Sequence, residues 1–225
     1  MKEHYAIAID GPSGAGKSTL AKAIAAELKI TYVDTGAIYR TIGYVAWQRG
    51  IAPEDEAAVL SLLPQLEIGI AHGGEDGVQH MLLDGEDITD QIRLPQISMY
   101  ASAVSAIPGV RDYLLETQRT FARRQSVIMD GRDIGTVVLP DADIKIYLTA
   151  LPEIRAQRRF LELEQRGTPK PFEEVLAEII ERDYNDMHRD VAPLRAAEDA
   201  VVIDTSELDF EQSRELLLKT IEERL

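Results

Sequence analysis

The chain has 225 residues, enough for one large domain or one domain with insertions. Its formal net charge of −15 argues against general binding to nucleic acid or to anionic membranes, because their phosphate groups would repel it. It contains no Cys, which excludes disulfides, Cys-ligated metal centres and thiol nucleophiles. No segment is typical of a signal peptide or a membrane span, so we expect a cytoplasmic location.

Short apolar runs alternate with longer amphipathic segments along the chain, a pattern typical of an α/β fold. The apolar runs are rich in Val and Ile, as expected for a parallel sheet buried on both faces. They predict strands at residues 5–9, 31–33, 126–129, 143–149 and 201–203. The amphipathic segments predict helices at residues 18–28, 39–48, 54–63, 110–124, 153–165, 172–188 and 211–224. We therefore predict a three-layer α/β/α fold around a five-stranded parallel sheet.

Two regions interrupt this rhythm. Residues 66–84 contain two β-like segments joined by the Gly-rich stretch 73–77, which predicts an antiparallel hairpin within an insertion. Pro169 and Pro171 cannot continue a helix, so they predict a turn between two long helical arms. We predict a core of about residues 1–50, 106–154 and 190–225, an insertion of about 51–105 and a two-helix region of about 155–189.

Residues 11–18 fit the pattern G-x-x-x-x-G-K-[ST] at every fixed position, between a predicted strand and a predicted helix. Such a loop points successive backbone N–H groups at phosphate oxygens, and the helix N-terminus adds a partial positive charge. Lys17 would reach the β- and γ-phosphates, and the Ser18 hydroxyl would be the protein's ligand to Mg²⁺. The alternative is a Gly-rich turn that matches by chance. The predicted nucleotide-binding set here is Gly11, Ser13, Gly14, Ala15, Gly16, Lys17, Ser18 and Thr19.

Arginine outnumbers lysine by 17 to 7, and eight of the arginines lie between residues 132 and 195. Guanidinium groups bind phosphate oxygens in bidentate fashion and stay charged. An acidic chain must supply the positive charge for a bound nucleotide locally. This concentration of arginine therefore favours phosphate binding in the second half of the chain.

Two neighbouring predicted helices could form a lid over a polyphosphate, since each places basic residues on one face. The alternative is a pair of solvated faces on which Glu162 pairs with Arg158 and Glu178 pairs with Arg182. The residues concerned are Arg155, Arg158 and Arg159 on the first helix, and Arg182, Asp186 and Arg189 on the second.

Asp130 directly follows the apolar strand predicted at residues 126–129. In doubly wound proteins, polar chemistry lies at the carboxyl ends of strands beside the phosphate loop. We expect Asp130 to act through the magnesium shell; the alternative is a turn in which it caps a helix. We expect the four His residues to be non-catalytic, because none has the spacing of a metal site, and we expect Tyr39 and Trp47 to lie in the core.

Four motifs, at residues 11–18, 34–40, 130–136 and 182–194, together resemble the cytidylate kinases of bacterial type. The resemblance extends from about residue 5 to residue 205. The hairpin-bearing insertion resembles the enlarged nucleoside-monophosphate-binding region of that type. The resemblance implies a P-loop NTPase fold with a helical lid. It also implies transfer of the γ-phosphate of ATP, with Mg²⁺, to CMP or dCMP, which gives CDP or dCDP and ADP.

The resemblance also implies a role for each site residue. Cytosine offers an amino donor and two acceptors, so a site that reads it needs a carboxylate and a cationic or hydroxyl donor. The implied acceptor-phosphate residues are Arg40 and Arg132, beside Thr35 and Tyr39. The implied base readers are Ser102, Arg111 and Asp133; the implied ribose residues are Arg182 and Asp186. Arg189 would contact the transferring phosphoryl group, and Arg155, Arg158 and Arg159 would lie in the lid over ATP. The implied catalytic set is Lys17, Asp130, Arg132, Arg182 and Arg189.

Two other functions stay open on the residues. The first is another small-molecule P-loop kinase, acting on AMP, UMP or a non-nucleotide acid or sugar. The second is a nucleotide-switched binding module, which would hydrolyse nucleotide slowly without an acceptor. We expect a monomer whose partners are the small molecules CMP, dCMP and ATP, with no nucleic-acid and no membrane partner.

Overall fold

The structure of the protein is a computed structural model that describes residues 4–73 and 78–225. Within these ranges the strands are β1 (Ala6–Asp10), β2 (Thr31–Asp34), β3 (Ile68–Gly73), β4 (Val78–Leu83), β5 (Glu86–Asp87), β6 (Val127–Gly131), β7 (Ile144–Thr149) and β8 (Val201–Asp204). The α-helices are α1 (Lys17–Leu28), α2 (Thr35–Gln48), α3 (Glu56–Leu62), α4 (Pro95–Val104), α5 (Pro108–Arg124), α6 (Pro152–Gln165), α7 (Phe172–His188) and α8 (Phe210–Glu222). Short 3₁₀ turns cover Leu63–Gln65 and Gln91–Arg93, and a π-helical turn covers Ile134–Val138.

Five of the strands form a parallel sheet in the order β2-β6-β1-β7-β8. Alternate residues of β1 face opposite sides of the sheet, as the twofold period of a strand requires. Ile7 and Ile9 pack with side chains of α1 and α8, and Ala8 packs in the cluster that includes the α5 residues Leu115 and Phe121. The three-layer α/β/α fold and its five predicted strands are therefore confirmed.

The register of this sheet aligns acidic residues at its carboxyl edge. Ile9 pairs with Asp130, Asp10 pairs with Gly131, and Asp34 pairs with Asp130 on the other side of β6. The loop after β1 therefore begins beside the ends of β2 and β6. In open α/β sheets this edge is where ligands bind.

The insertion packs on α2 as a second hydrophobic cluster. Ile42 of α2 is fully buried in this cluster together with Val59, Met81 and Ile97. Strands β3, β4 and β5 form a small antiparallel sheet, which confirms the predicted pairing of the hairpin; its turn residues 74–77 lie outside the described ranges.

Helix α4 is missing from the sequence interpretation of the insertion. Its buried residues Ile97, Ala101 and Val104 nevertheless follow helical spacing. A Cβ atom on Gly43 would lie 2.9 Å from the backbone N of Ala101, so α2 and α4 approach closely only because residue 43 has no side chain. That close approach is a tertiary feature which the local pattern does not contain.

Helices α6 and α7, which we call the arm, pack against each other through Ala156, Leu163, Val175 and Ile179. The rings of Phe160 and Phe172 meet edge to face with centroids 6.3 Å apart. The predicted pair of helices on either side of the Pro-containing turn is therefore confirmed.

One aromatic expectation is confirmed and one is wrong. Tyr39 is buried, as expected of a core residue. Trp47 remains 39% exposed in the last turn of α2, where one side of its ring stacks on the buried Tyr44. Among the described residues no helix combines the length and the apolarity needed to span a membrane.

Candidate active site

The Gly-rich loop between β1 and α1 is held closely against its neighbours. Gly11 has φ +149°, and a Cβ atom there would lie 1.9 Å from the carbonyl oxygen of Leu148 in β7. Only glycine fits this position, on both counts. The carbonyl of Ser13 accepts a hydrogen bond of 3.0 Å from Arg155 Nη1, and Lys17 Nζ donates to the carbonyl of Pro12 at 2.7 Å. The loop is thus shaped before any ligand binds.

Lys17 is a buried cation without an ion pair to any carboxylate in the described ranges. Burial, and next the charge of nearby Arg132, lower the pKa of Lys17 to about 7, against the opposing effects of Asp130 and Asp10. An anion placed against Lys17 would relieve this cost and restore full protonation. The environment of Lys17 is therefore prepared for a phosphate group.

Asp130 lies in β6 with its carboxylate facing α1. It accepts hydrogen bonds from Ser18 Oγ at 2.8 Å and from the hydroxyl of Tyr32 at 2.9 Å. Burial, and then the Asp34 carboxylate, raise the pKa of Asp130. The structure therefore brings Asp130 to the predicted Mg²⁺ ligand Ser18, and the alternative of a helix-capping Asp130 is wrong.

Asp10 was not identified from the sequence. Its two carboxylate oxygens accept hydrogen bonds of 2.7 Å from the backbone N–H groups of Ile134 and Gly135, in the π-helical turn after β6. Burial raises the pKa of Asp10 to about 6 in spite of these hydrogen bonds. Its position directly before Gly11, at the end of a predicted strand, was the signal that could have identified it.

The start of α2 places Arg40 near the carboxyl edge of the five-stranded sheet. Asp34 caps the helix, since its Oδ1 accepts from the N–H of Ala37 at 2.9 Å, and its Oδ2 pairs with Arg40 at 2.7 Å. The cap moves the helix start to Thr35, four residues before the predicted start. The Thr35 hydroxyl donates to the carbonyl of Asp130 at 2.8 Å, so the predicted acceptor residue Thr35 lies against β6, and the predicted acceptor residue Arg40 lies with Asp34 at the start of the same helix.

Arg132, Arg182 and Asp186 form a cluster with more positive than negative charge. Arg132 Nε donates to Asp186 Oδ2 at 2.7 Å, whereas Arg182 Nε is buried without a hydrogen-bond partner in the described part of the chain. Burial, and next the charge of Arg132, lower the pKa of Arg182 to about 10. Burial opposes ionisation of Asp186, but Arg132 and Arg182 hold the pKa of this carboxyl below its ordinary value.

A separate corner contains Arg111, Asp133 and Arg189. Arg111 Nη2 donates to Asp133 Oδ2, and Arg189 Nη2 lies 3.6 Å from Asp133 Oδ1. The Arg111 guanidinium lies 5.5 Å from the ring centroid of Tyr39. Ser102 contributes its backbone carbonyl nearby, where it accepts a hydrogen bond of 2.8 Å from the Ser105 hydroxyl. The predicted base readers Arg111 and Asp133 are therefore in direct contact, and Arg189 lies with them rather than with Arg182.

Arg155 connects the arm to the phosphate loop. Its Nε donates to the carbonyl of Ala150 at 2.8 Å, and its two Nη atoms bind Asp183 of α7 at 3.0 and 2.6 Å. Together with the bond to Ser13, these contacts engage the whole guanidinium within the protein. Asp183 had no role in the sequence interpretation, and its partner Arg155 lies too far away in sequence for a local pattern to link them.

The other two predicted lid arginines point elsewhere. Arg158 donates to the carbonyl of Thr205 at 2.8 Å, and Arg159 pairs with Glu162 at 2.8 Å. The alternative pairings of Glu162 with Arg158 and of Glu178 with Arg182 are wrong, because side-chain geometry favours other partners. Glu162 pairs with Arg159 and Arg166, and Glu178 pairs with Lys170.

A Gly-rich loop with a buried lysine, beside several incompletely neutralised arginines, is suited to moving a phosphoryl group between two anionic molecules. The fold and the site thus define a kinase of the P-loop class. Comparison with known proteins gives the family: a family model described as Cytidylate kinase matches residues 7–223. The chain belongs to the cytidylate kinase family.

Relatives support the family, and a solved structure supports the fold. The Cytidylate kinase of Caldicellulosiruptor bescii is 50% identical over 96% of this chain and 93% of its own length. The Cytidylate kinase of Carboxydothermus hydrogenoformans is 46% identical over 96% of both chains. A crystal structure of an uncharacterized protein from Eubacterium ventriosum has a TM-score of 0.51 at 13% identity, and covers 98% of this chain and 100% of its own. That likeness shows the fold alone.

Proposed function

We propose that the protein transfers the γ-phosphoryl group of ATP to CMP or dCMP, with CDP or dCDP and ADP as products. The family supports this acceptor, and the observation that carries the proposal is the arginine cluster beside the phosphate loop. Arg40 and Arg182 each have a buried Nε atom without a hydrogen-bond partner within the described residues. Leaving such a charged donor unpaired is costly, and an acceptor nucleotide would supply the missing acceptors, its phosphate to Arg40 and its ribose hydroxyls to Arg182.

On the donor side, the N–H groups of the loop and Lys17 would hold the phosphates of ATP. Ser18 Oγ, a hard oxygen beside Asp130, fits a Mg²⁺ ion bound together with ATP. No group of three or more acidic or His side chains in the described ranges is arranged to hold a metal alone, which agrees with an ion held mainly by phosphate and water. Such an ion neutralises charge on the β- and γ-phosphates.

On the acceptor side, Arg40 and Arg132 would hold the phosphate of CMP beside Thr35. Arg182 and Asp186 would hold the ribose and orient the acceptor. The attacking oxygen belongs to a phosphate and is already anionic, so the reaction needs no general base. The contribution of the protein is then alignment of the two substrates and neutralisation of charge on the transferring group.

The base would bind at the corner of Arg111, Asp133 and Ser102, with Tyr39 below the Arg111 guanidinium. The Asp133 carboxylate accepts from an amino group such as N4 of cytosine, and Arg111 donates to the acceptors O2 and N3. A uracil would present a carbonyl oxygen to Asp133 in place of an amino group. Such a site discriminates by leaving its own polar groups unpaired with the wrong base.

Several finer points stay predictions. The arm would act as a lid over ATP, with Arg155, Arg158 and Arg159 as its arginines, and Arg189 would reach the transferring group once the arm closes. We also propose a cytoplasmic monomer. The contacts of Arg155 and Arg189 described above mean that closure would have to exchange protein acceptors for phosphate.

The experiment that tests this function measures ADP release from Mg·ATP with CMP, dCMP, UMP, AMP and GMP singly, and without acceptor. We expect fast turnover with CMP and dCMP, weak turnover with UMP and little with the others. Preference for another monophosphate would contradict the proposed base-reading corner. Hydrolysis that needs no acceptor, and is not accelerated by any, would contradict a kinase.

A further inference from the structure

Gln79 of β4 is a buried polar residue of the insertion that contacts the main sheet. Its side chain is 5% exposed and lies against the end of β2. β2 is an edge strand of the five-stranded sheet, so one side of its backbone lacks a neighbouring strand. Buried backbone groups on that side need partners from elsewhere.

The amide of Gln79 satisfies both backbone groups of Asp34. Its Oε1 accepts from the Asp34 N–H at 2.7 Å, and its Nε2 donates to the Asp34 carbonyl at 3.3 Å. Nε2 also lies 3.1 Å from Sδ of Met81, which can accept only from the nitrogen end of the amide. One side chain thus takes the place of a neighbouring strand, with its orientation fixed.

Asp34 transmits this constraint to the acceptor site. Its carboxylate caps α2 through Ala37 and pairs with Arg40 at 2.7 Å. Gln79 and Arg40 also line the same small opening between the two sheets. Gln79, Asp34 and Arg40 therefore form one connected chain of contacts from the insertion to the guanidinium group assigned to the acceptor phosphate.

We propose that Gln79 is a positioning residue that orients Asp34 and, through it, Arg40, so that the small sheet of the insertion sets the affinity for the acceptor. This inference rests on the proposed function, in which Arg40 holds the phosphate of CMP. Gln79 itself touches none of the residues assigned to ATP. Its removal is therefore expected to change acceptor binding far more than turnover or donor binding.

The test compares Gln79→Ala and Gln79→Glu with the matched control His80→Ala. His80 is the next residue of β4, pairs with Asp87 and has no described contact with Asp34. We expect Gln79→Ala to raise the KM for CMP roughly five- to tenfold, the usual effect of losing a buried hydrogen-bonded group. The kcat and the KM for ATP should change less than about twofold.

Gln79→Glu should raise the KM for CMP at least as much, since a carboxylate cannot donate to the Asp34 carbonyl and repels the Asp34 carboxylate. His80→Ala should match the wild type.

A double-mutant cycle with Arg40→Gln shows whether Gln79 acts through Arg40. In the Arg40→Gln background, Gln79→Ala should cause no further rise in the KM for CMP. The same factor in both backgrounds, an equal loss in kcat, or an equal effect of His80→Ala would overturn the proposal. Thermal denaturation of each variant identifies any that fail to fold. Wild-type turnover in the same assay tests the proposed function separately: if another monophosphate is preferred, its KM replaces that of CMP and the cycle still decides the role of Gln79.

Discussion

The donor and acceptor sides of the site are built in different ways. The proposed donor side is a run of eight consecutive residues, 11–18, in which the backbone and the helix N-terminus would do most of the binding. The proposed acceptor side is a set of residues drawn from α2, α4, α5, α7 and the turn after β6, between Thr35 and Arg189. A backbone site is encoded locally, whereas a side-chain site exists only once the sheet and helices have assembled.

The two sides also differ in how they hold charge before substrates arrive. Lys17 is a buried cation whose pKa is lowered to about 7 by burial and then by Arg132. Burial also acts to lower the pKa of Arg132, but the nearby carboxylates, Asp186 first among them and then Asp130 and Asp183, together raise the pKa of this arginine. On the donor side, burial thus disfavours the charge of Lys17, and a bound anion would stabilise that charge. On the acceptor side, neighbouring carboxylates already neutralise part of the positive charge.

The largest effect is expected on the donor side. Lys17→Ala should lower kcat by about 10²- to 10³-fold, because it removes a cation from the transferring phosphoryl group. The KM for CMP should change less than about threefold, since the acceptor contacts remain. Steady-state kinetics with both substrates varied measures the two effects, and Lys219→Ala, an exposed lysine of α8, is the control. A rise in the KM for CMP as large as the loss in kcat would contradict the distinction between the donor side and the acceptor side.

The next effect concerns the acceptor side. Arg132→Ala should raise the KM for CMP by about 30- to 100-fold through loss of a charge-assisted contact. It should also lower the free energy of unfolding by about 3 kcal/mol, because Asp186 stays buried without its partner. Adding Asp186→Asn should recover stability without recovering the KM for CMP, as measured by urea denaturation and kinetics. Arg166→Ala, at an exposed residue directly after the end of α6, is the control. A double variant that regains acceptor affinity would show that Arg132 acts only through stability.

A smaller effect is expected at the base corner. Asp133→Asn should reduce the preference for CMP over UMP, measured as a ratio of kcat/KM values, by roughly tenfold. The reason is that an amide can donate to the carbonyl of uracil where a carboxylate cannot. Asp141→Asn, at an exposed residue before β7, removes the same charge at a position with no described contact with this corner. An unchanged ratio in Asp133→Asn would assign base reading to other residues.

A further effect is a change in stability with pH. The pKa of Lys17 is lowered from 10.5 to about 7 on folding, so the unfolded chain binds this proton more tightly. The contribution of Lys17 to stability is therefore present above pH 10.5 and is lost as pH falls towards 7. Lys17→Met should have a higher free energy of unfolding than the wild type at pH 7, and this difference should shrink as pH rises towards 10. Urea denaturation of both proteins at pH 7, 8.5 and 10 measures this difference. A difference that does not change with pH would mean that folding does not lower the pKa of Lys17.

The same contrast explains how much the sequence could predict. Gly11, Lys17 and Ser18 follow from a local pattern, and the strands of the sheet follow from continuous apolar runs. The packing of α4 on Gly43, and the bonds from Asp10 to the turn after β6, depend on contacts between distant parts of the chain. No periodicity contains such contacts.

The arginines show this limit most clearly. Helical spacing places Arg155, Arg158 and Arg159 on one face, yet each guanidinium finds a different partner in the folded chain. Arg189 follows Arg182 by seven residues but lies beside Asp133, because the chain leaves α7 and becomes extended at Arg189. Long side chains are directed by the acceptors within reach, and tertiary structure decides which acceptors those are.

The most direct test of two separately built sides is calorimetric titration of CMP, without ATP, into the wild type, Lys17→Ala and Arg132→Ala. We predict that Lys17→Ala binds CMP within about threefold of the wild type, whereas Arg132→Ala binds it about 30-fold more weakly or worse. Comparable losses in both variants, or a larger loss in Lys17→Ala, would contradict the account, since the phosphate of the acceptor would then depend on the donor loop.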